Sequence, residues 1–311
     1  MATDRKESDA ALIRARRHPN FKELEASRPS WNSVSAPFQY TQTPNPNWSF
    51  GDGANHTQNQ ASATAATAKH VPIDPYTESR TLIDNYKLLI SAVIPRPIAF
   101  ISTRSRDGKT ENLAPMSFFQ IVNADPPIFA IGVTSSLAEA KDTLLNLLES
   151  RECVINIISE GFVEAANATS INAPYGASEW VVSGLTPVYD CRTVKCARVK
   201  ESVFSIEAKL ESVREFTSRL HPGTKSGSLE LVEASFFWAR EDALNEDGNT
   251  LDLAVSDCLL RSKWGEGRGT RITWAKELTV SIGITSNKQI GRHFLRPDHP
   301  GYRSNASRIF G

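Results

Sequence analysis

Residues 95–103, Pro-Arg-Pro-Ile-Ala-Phe-Ile-Ser-Thr, decide the reading of this chain. From Pro97 to Thr103 the run is apolar until it reaches two hydroxyls, Ser102 and Thr103, the pattern of a short strand that buries most of its length. Working outward, Asp107-Gly108 follows, then Asn112-Leu113-Ala114-Pro115-Met116-Ser117-Phe118-Phe119, Asp125-Pro126-Pro127 and Lys141-Asp142-Thr143. A strand carrying Pro115 has to take an irregular or edge position, because proline cannot donate to a ladder; nearby carbonyl and N–H groups are then left for a ligand. Asp125-Pro126-Pro127 reads as a turn that launches the next strand.

Further β-rich runs lie at 128–134, 153–158, 202–213 and 229–239. Helices are few: one over 142–149, expected to begin at Asp142 as an acidic N-cap, and one over 161–168. Strands that outnumber helices without regular alternation point to a mainly β fold, a closed barrel with short helices. Residues 1–70 are polar, with Gln58-Asn59-Gln60-Ala61-Ser62 typical of them, and are expected to form a largely disordered N-terminal arm broken by the aromatics Phe38, Tyr40, Trp48 and Phe50. Residues 71–260 form the packed domain. Residues 261–311 make a C-terminal extension in which Trp264-Gly265-Glu266-Gly267 reads as a loop and not as a dinucleotide fingerprint.

Thirty-five basic side chains balance 35 acidic ones, so there is no basic excess of the kind that nucleic acid or an anionic membrane surface would attract. No run of about 18 apolar residues is present, and Met1-Ala2-Thr3-Asp4-Arg5-Lys6-Glu7 has no apolar stretch, so the expectation is a cytoplasmic protein without signal peptide or membrane span. Cys153, Cys191, Cys196 and Cys258 form no Cys-x-x-Cys pair and are expected as reduced thiols. The six histidines are scattered without metal-ligand spacing, and no Gly-x-Ser-x-Gly elbow occurs, which argues against a metal centre and a hydrolase.

The side chains suited to an anion are the hydroxyls of Ser102, Thr103 and Ser117, and Lys141 with Thr143 where a helix starts and free N–H groups favour negative charge. At the helix start the ordinary alternative is Asp142 as a cap and Lys141 as a solvated charge, and Phe118 and Phe119, which could stack on a ligand ring, have the alternative of filling the core.

Tyr86-Lys87-Leu88-Leu89-Ile90-Ser91, the Pro-Arg-Pro segment, the Asn112–Phe119 block, Pro126-Pro127, Lys141-Asp142-Thr143 with Asn146, Glu152-Cys153-Val154-Ile155-Asn156 and Gly184-Leu185-Thr186-Pro187 come in an order that resembles the flavin reductase family over roughly residues 72–260. The resemblance implies an FMN-binding split β-barrel, usually a homodimer with FMN near the subunit interface, and NAD(P)H as co-substrate. It implies that Ser102, Thr103, Asn112, Ala114, Pro115, Met116 and Ser117 line the flavin and that Lys141, Asp142 and Thr143 sit at its phosphate. Two functions follow from it: a reductase passing hydride from NAD(P)H to flavin and on to a flavin or small organic acceptor, or a flavoredoxin-like electron carrier serving a protein partner. A non-catalytic barrel module is the third reading. The chain departs from the family at Arg261-Ser262-Lys263-Trp264-Gly265-Glu266-Gly267, where members often carry Arg-Leu-Gly-Gly followed by Tyr.

Overall fold

In the computed structural model, which describes residues 45–53, 69–171, 173, 177–252, 255 and 260–261, Thr81 opens the first described helix, α1 (Leu82–Ala92). The Thr81 hydroxyl accepts from the Asp84 N–H while the Asp84 carboxylate takes the Thr81 N–H, a reciprocal capping box. Along the chain follow β1 (Arg96–Pro97), β2 (Ala99–Arg104), β3 (Glu111–Met116), β4 (Phe119–Ala124), β5 (Pro127–Val133), α2 (Asp142–Ser150) and β6 (Glu152–Ile157). Then come α3 (Val163–Ala168), α4 (Glu179–Ser183), β7 (Pro187–Val188), β8 (Arg198–Val199), β9 (Phe204–Thr217), β10 (Lys225–Ala239) and β11 (Leu260–Arg261).

Seven strands pair antiparallel in the order β3-β2-β6-β9-β10-β5-β4. β3 and β4 are consecutive in the chain yet stand at the two ends of this ladder, so the barrel is split and not sealed by hydrogen bonds. Pro115 lies on the edge strand β3, opposite Phe100, where its missing N–H costs no ladder bond. Asp125 and Pro126 form the connection from β4 to β5, as the turn reading required.

Period-two alternation sorts β2 onto two faces. Ala99 and Ile101 point into the barrel with Phe129, Ile131, Ile155, Ile206 and Val232. Phe100 points outward, where Leu113, Phe162, Val163 and Trp180 cover it with α3 and α4. Leu147 of α2 joins the inner cluster, so α2 packs on the barrel side of β2 and α4 on the other.

One expectation is corrected here. The N-cap of α2 is Lys141, in extended conformation and without a side-chain cap hydrogen bond, and Asp142 is the first helical residue. An acid in the first turn still interacts favourably with the helix dipole, which is why the helix begins at this triplet although the capping residue is a different one.

A second compact unit contributes residues 45–53, a turn in which Trp48 Nε1 donates to the Gly53 carbonyl at 2.8 Å and the Trp48 and Phe50 rings meet edge-on at 6.0 Å. Phe38, Tyr40, Cys258 and the Trp264–Gly267 loop lie outside the described residues. Among the described residues no helix is long and apolar enough to cross a membrane, and no group of three or more His, Cys, Asp or Glu is placed to hold a metal. Cys153, Cys191 and Cys196 are free, and burial pushes the Cys153 thiol up to about 12.

Candidate functional site

The edge strand β3 and the first turn of α2 meet in one polar cluster. Thr103 and Asn112 are direct cross-strand partners and therefore share a face of the sheet, the inner one that α2 covers. Asn146 Nδ2 donates to Thr103 Oγ1 at 3.3 Å, while the Asn146 side-chain oxygen is buried without a hydrogen-bond partner among the described residues. Asn112 is oriented with its amide nitrogen toward Glu179 Oε2, 2.7 Å away, and its oxygen accepts from Thr143 Oγ1 at 2.5 Å. The reverse orientation would set that oxygen against a carboxylate, so the amide direction follows from its partners.

Glu179 reaches this cluster from the outer layer. It opens α4, is only 5% exposed, and also accepts from the Leu113 backbone N–H. Burial raises its pKa above the ordinary carboxylate value, and the neighbouring Asp142 carboxylate adds to the shift. Burial likewise raises the pKa of Asp142, and Lys141 opposes it. At both carboxyls burial disfavours the ionised form.

The predicted site residues divide. Thr103, Asn112 and Thr143 are buried and brought together, and Asp142 lies beside them, half-buried; Lys141, the preceding residue, is exposed. Ala114 and Met116 follow Asn112 on the inner face, opposite Ile101 and Ala99. Ala114, Pro115, Met116 and Ser117 are all half-buried along the edge. Ser102 is not part of this group: it pairs with Leu113, faces the outer cluster and is 1% exposed. Alternation along the strand sends the Ser102 and Thr103 side chains to opposite faces of the sheet. Glu179 and Asn146 were not among the predicted site residues. A glutamate ahead of Trp180-Val181-Val182 carries no local signal beyond that of a helix-opening acid.

A family profile described as a flavin reductase like domain matches residues 91–242. The chain is 41% identical over 126 residues to an uncharacterized protein of Aquifex aeolicus, covering 40% of this chain and 63% of that one. To an uncharacterized protein of Deinococcus radiodurans it is 31% identical over 193 residues, covering 60% of this chain and 78% of that one. The match thus spans less than two thirds of the Aquifex relative's length. Among solved structures, nitrilotriacetate monooxygenase component B from Bacillus cereus superposes with a TM-score of 0.58 at 29% identity, over 67% of this chain and 100% of that chain. A split-barrel-domain protein from Shewanella frigidimarina superposes with a TM-score of 0.50 at 20% identity, over 64% of this chain and 98% of that one, a likeness of fold alone.

Proposed function

The chain belongs to the flavin reductase-like family, and from that premise we propose that it is an FMN-dependent oxidoreductase using NAD(P)H. The observation that carries the reading is the meeting of the α2 N-terminus with the free edge of β3. The residues fit a flavin phosphate there. Lys141 brings a cation, and the first turn of α2 brings backbone N–H groups at the positive end of a helix, while Thr143, its hydroxyl proton given to Asn112, ties that turn to β3. The raised pKa values of Asp142 and Glu179 reduce the repulsion that two ionised carboxylates would exert on that phosphate.

Bound in this way, FMN would supply the hydride-accepting centre that takes a hydride from NAD(P)H and delivers it to a flavin or small organic acceptor. The chain's own part is to hold and orient. Lys141 and the first-turn N–H groups of α2 would hold the phosphate, while the Thr143–Asn112 and Asn146–Thr103 hydrogen bonds fix the strands against α2. The half-buried edge from Ala114 to Ser117 offers a flat, mostly apolar border for the ring. Hydride transfer needs no side-chain acid or base at the reacting atoms, in keeping with a cluster that contains no histidine.

The protein acts as a homodimer in this reading. β4 pairs on one side only, and Ile121 and Val122 on it are 63% and 57% exposed, an apolar edge that a second copy of the chain would cover. Free thiols at Cys153, Cys191 and Cys196 favour a cytoplasmic setting.

The test is a visible spectrum of the purified protein loaded with FMN and desalted, then repeated anaerobically with NADPH and with NADH. A retained yellow spectrum that either nucleotide bleaches supports the reductase. Retained flavin that neither bleaches favours the electron carrier, and loss of all flavin on desalting leaves flavin as a loosely bound substrate or the non-catalytic barrel module.

A further inference from the structure

On the outer face, away from the inner cluster of Thr103 and Asn112, a cleft opens between β8, the start of β9 and the end of β10. Trp238 in its wall pairs with Ser205, whose hydroxyl bonds Asn156, the cross-strand partner of outward-facing Phe100. The cleft is lined by three cations, Arg198, Lys200 and Arg240, and by no acid.

The walls are fixed from outside. Arg198 donates from Nε and Nη2 to the Asp190 carboxylate at 2.7 and 2.6 Å, and its guanidinium lies over the Trp238 ring at 4.8 Å. Trp238 is pinned in turn, donating from Nε1 to Glu207 at 2.7 Å. Glu207 is fully buried; burial would raise its pKa, but hydrogen bonds from the Thr193 hydroxyl, the Arg192 N–H, Trp238 and the Thr193 N–H hold it below the ordinary value, so it stays an acceptor. Arg240 donates from Nε and Nη2 to Asp242 at 2.5 and 3.0 Å. Each guanidinium is therefore held by the same edge and keeps its Nη1 protons uncommitted to that carboxylate. Lys200 makes no ion pair among the described residues and supplies the charge that is not already balanced.

We propose that this cleft is a site for a phosphomonoester group, held by the Lys200 ammonium and the uncommitted N–H groups of Arg198 and Arg240. The Arg198 fork, braced by Asp190 and Trp238, suits a tetrahedral dianion beside the point charge of Lys200, and fixing it in advance lowers the entropy cost of binding. The volume, about 180 Å3, lies below the ~300–1,000 Å3 of sites that enclose whole drug-sized ligands, which limits the occupant to the anionic group and its nearest atoms. The hydroxyls of Ser202 and Ser205 are spent on Ile157, Phe204 and Asn156, so recognition rests on charge.

The experiment is calorimetric titration of the full flavin-free chain with inorganic phosphate, with 2′-AMP and with adenosine. Both phosphates are expected to bind and adenosine is not. Lys200→Ala, at an exposed position, should weaken phosphate binding about tenfold or more, and Arg240→Gln should weaken it also, with circular dichroism unchanged. Tighter binding of 2′-AMP than of inorganic phosphate assigns the cleft to a phosphate carried on a nucleotide, and equal binding assigns it to free phosphate; either supports the site. Absence of phosphate binding, or binding indifferent to both substitutions, overturns it. The titration is repeated on Lys141→Ala, so that binding which survives that change and is weakened by Lys200→Ala belongs to the cleft and is separate from the FMN reading.

Discussion

Glu179 Oε2 stands 2.7 Å from the Asn112 side-chain nitrogen, and through that amide a buried acid of the outer layer sets the position of the Thr143 hydroxyl on the inner face. Because burial raises the Glu179 pKa above its ordinary 4.5, the acid is protonated at low pH and ionises as pH rises through the raised value. An ionised Glu179 beside the first turn of α2 opposes a phosphate. FMN affinity of the wild type relative to that of Glu179→Gln should therefore fall as pH rises above 4.5. Taking the ratio of the two dissociation constants, measured by flavin fluorescence, cancels the titration of the phosphate itself. A ratio independent of pH would remove Glu179 from the site.

Lys141→Ala should weaken FMN retention by roughly 1.5–3 kcal/mol, the worth of a hydrogen bond to a charged group, and Thr143→Val, which loosens the first turn of α2 from Asn112, should weaken it less. Their effects on stability should differ. Lys141 is exposed, so its loss leaves the unfolding temperature nearly unchanged, whereas Thr143→Val strands the buried Asn112 oxygen and costs on the order of 1–3 kcal/mol in denaturant unfolding. Equal flavin retention in both variants and the wild type would move the phosphate elsewhere.

The strands were legible because their chemistry is local. The apolar run ending at Ser102-Thr103 forms β2, and Pro115 marks the edge strand, because a residue without an N–H is excluded from the middle of a sheet. The Lys141-Asp142-Thr143 triplet marks a helix start correctly to within one residue. What stayed hidden depends on distance along the chain. The contact from Glu179 to Asn112 joins residues far apart in sequence, and no periodicity records that a helix-opening acid will be folded under an edge strand. The placing of Ser102 was hidden for a different reason: adjacent hydroxyls look like one donor pair until the pleat sends them to opposite faces.

Ile121→Lys together with Val122→Asp should separate a dimer into monomers. Both side chains are more than half exposed on the unpaired edge of β4, and neither belongs to the buried clusters, so charging them leaves the fold intact. Sedimentation velocity on the wild type and the double variant reads the result directly. A wild type that sediments as a monomer, or a variant that remains dimeric, would place the subunit contact elsewhere or remove it.

Glu230 offers a pH test of the barrel itself. It is fully buried on β10 opposite Ile131 and Val213, and neither carboxyl oxygen has a hydrogen-bond partner among the described residues. Burial raises its pKa, and the Ser228 hydroxyl offsets part of the cost without reaching hydrogen-bond geometry. The folded state thus holds the proton more tightly than the unfolded chain, whose glutamate titrates near 4.5. The protonated carboxyl is tolerated below that pH, and stability is lost as pH rises from 4.5 through the raised folded value, because only the unfolded chain ionises freely. Glu230→Gln cannot ionise, so it should match the wild type at low pH and exceed it on the order of 1–3 kcal/mol near neutrality, the cost of a buried polar group left unmet. Urea unfolding at a series of pH values measures the difference; a gap between the two proteins that does not widen as pH rises would mean that Glu230 finds a partner or water in solution.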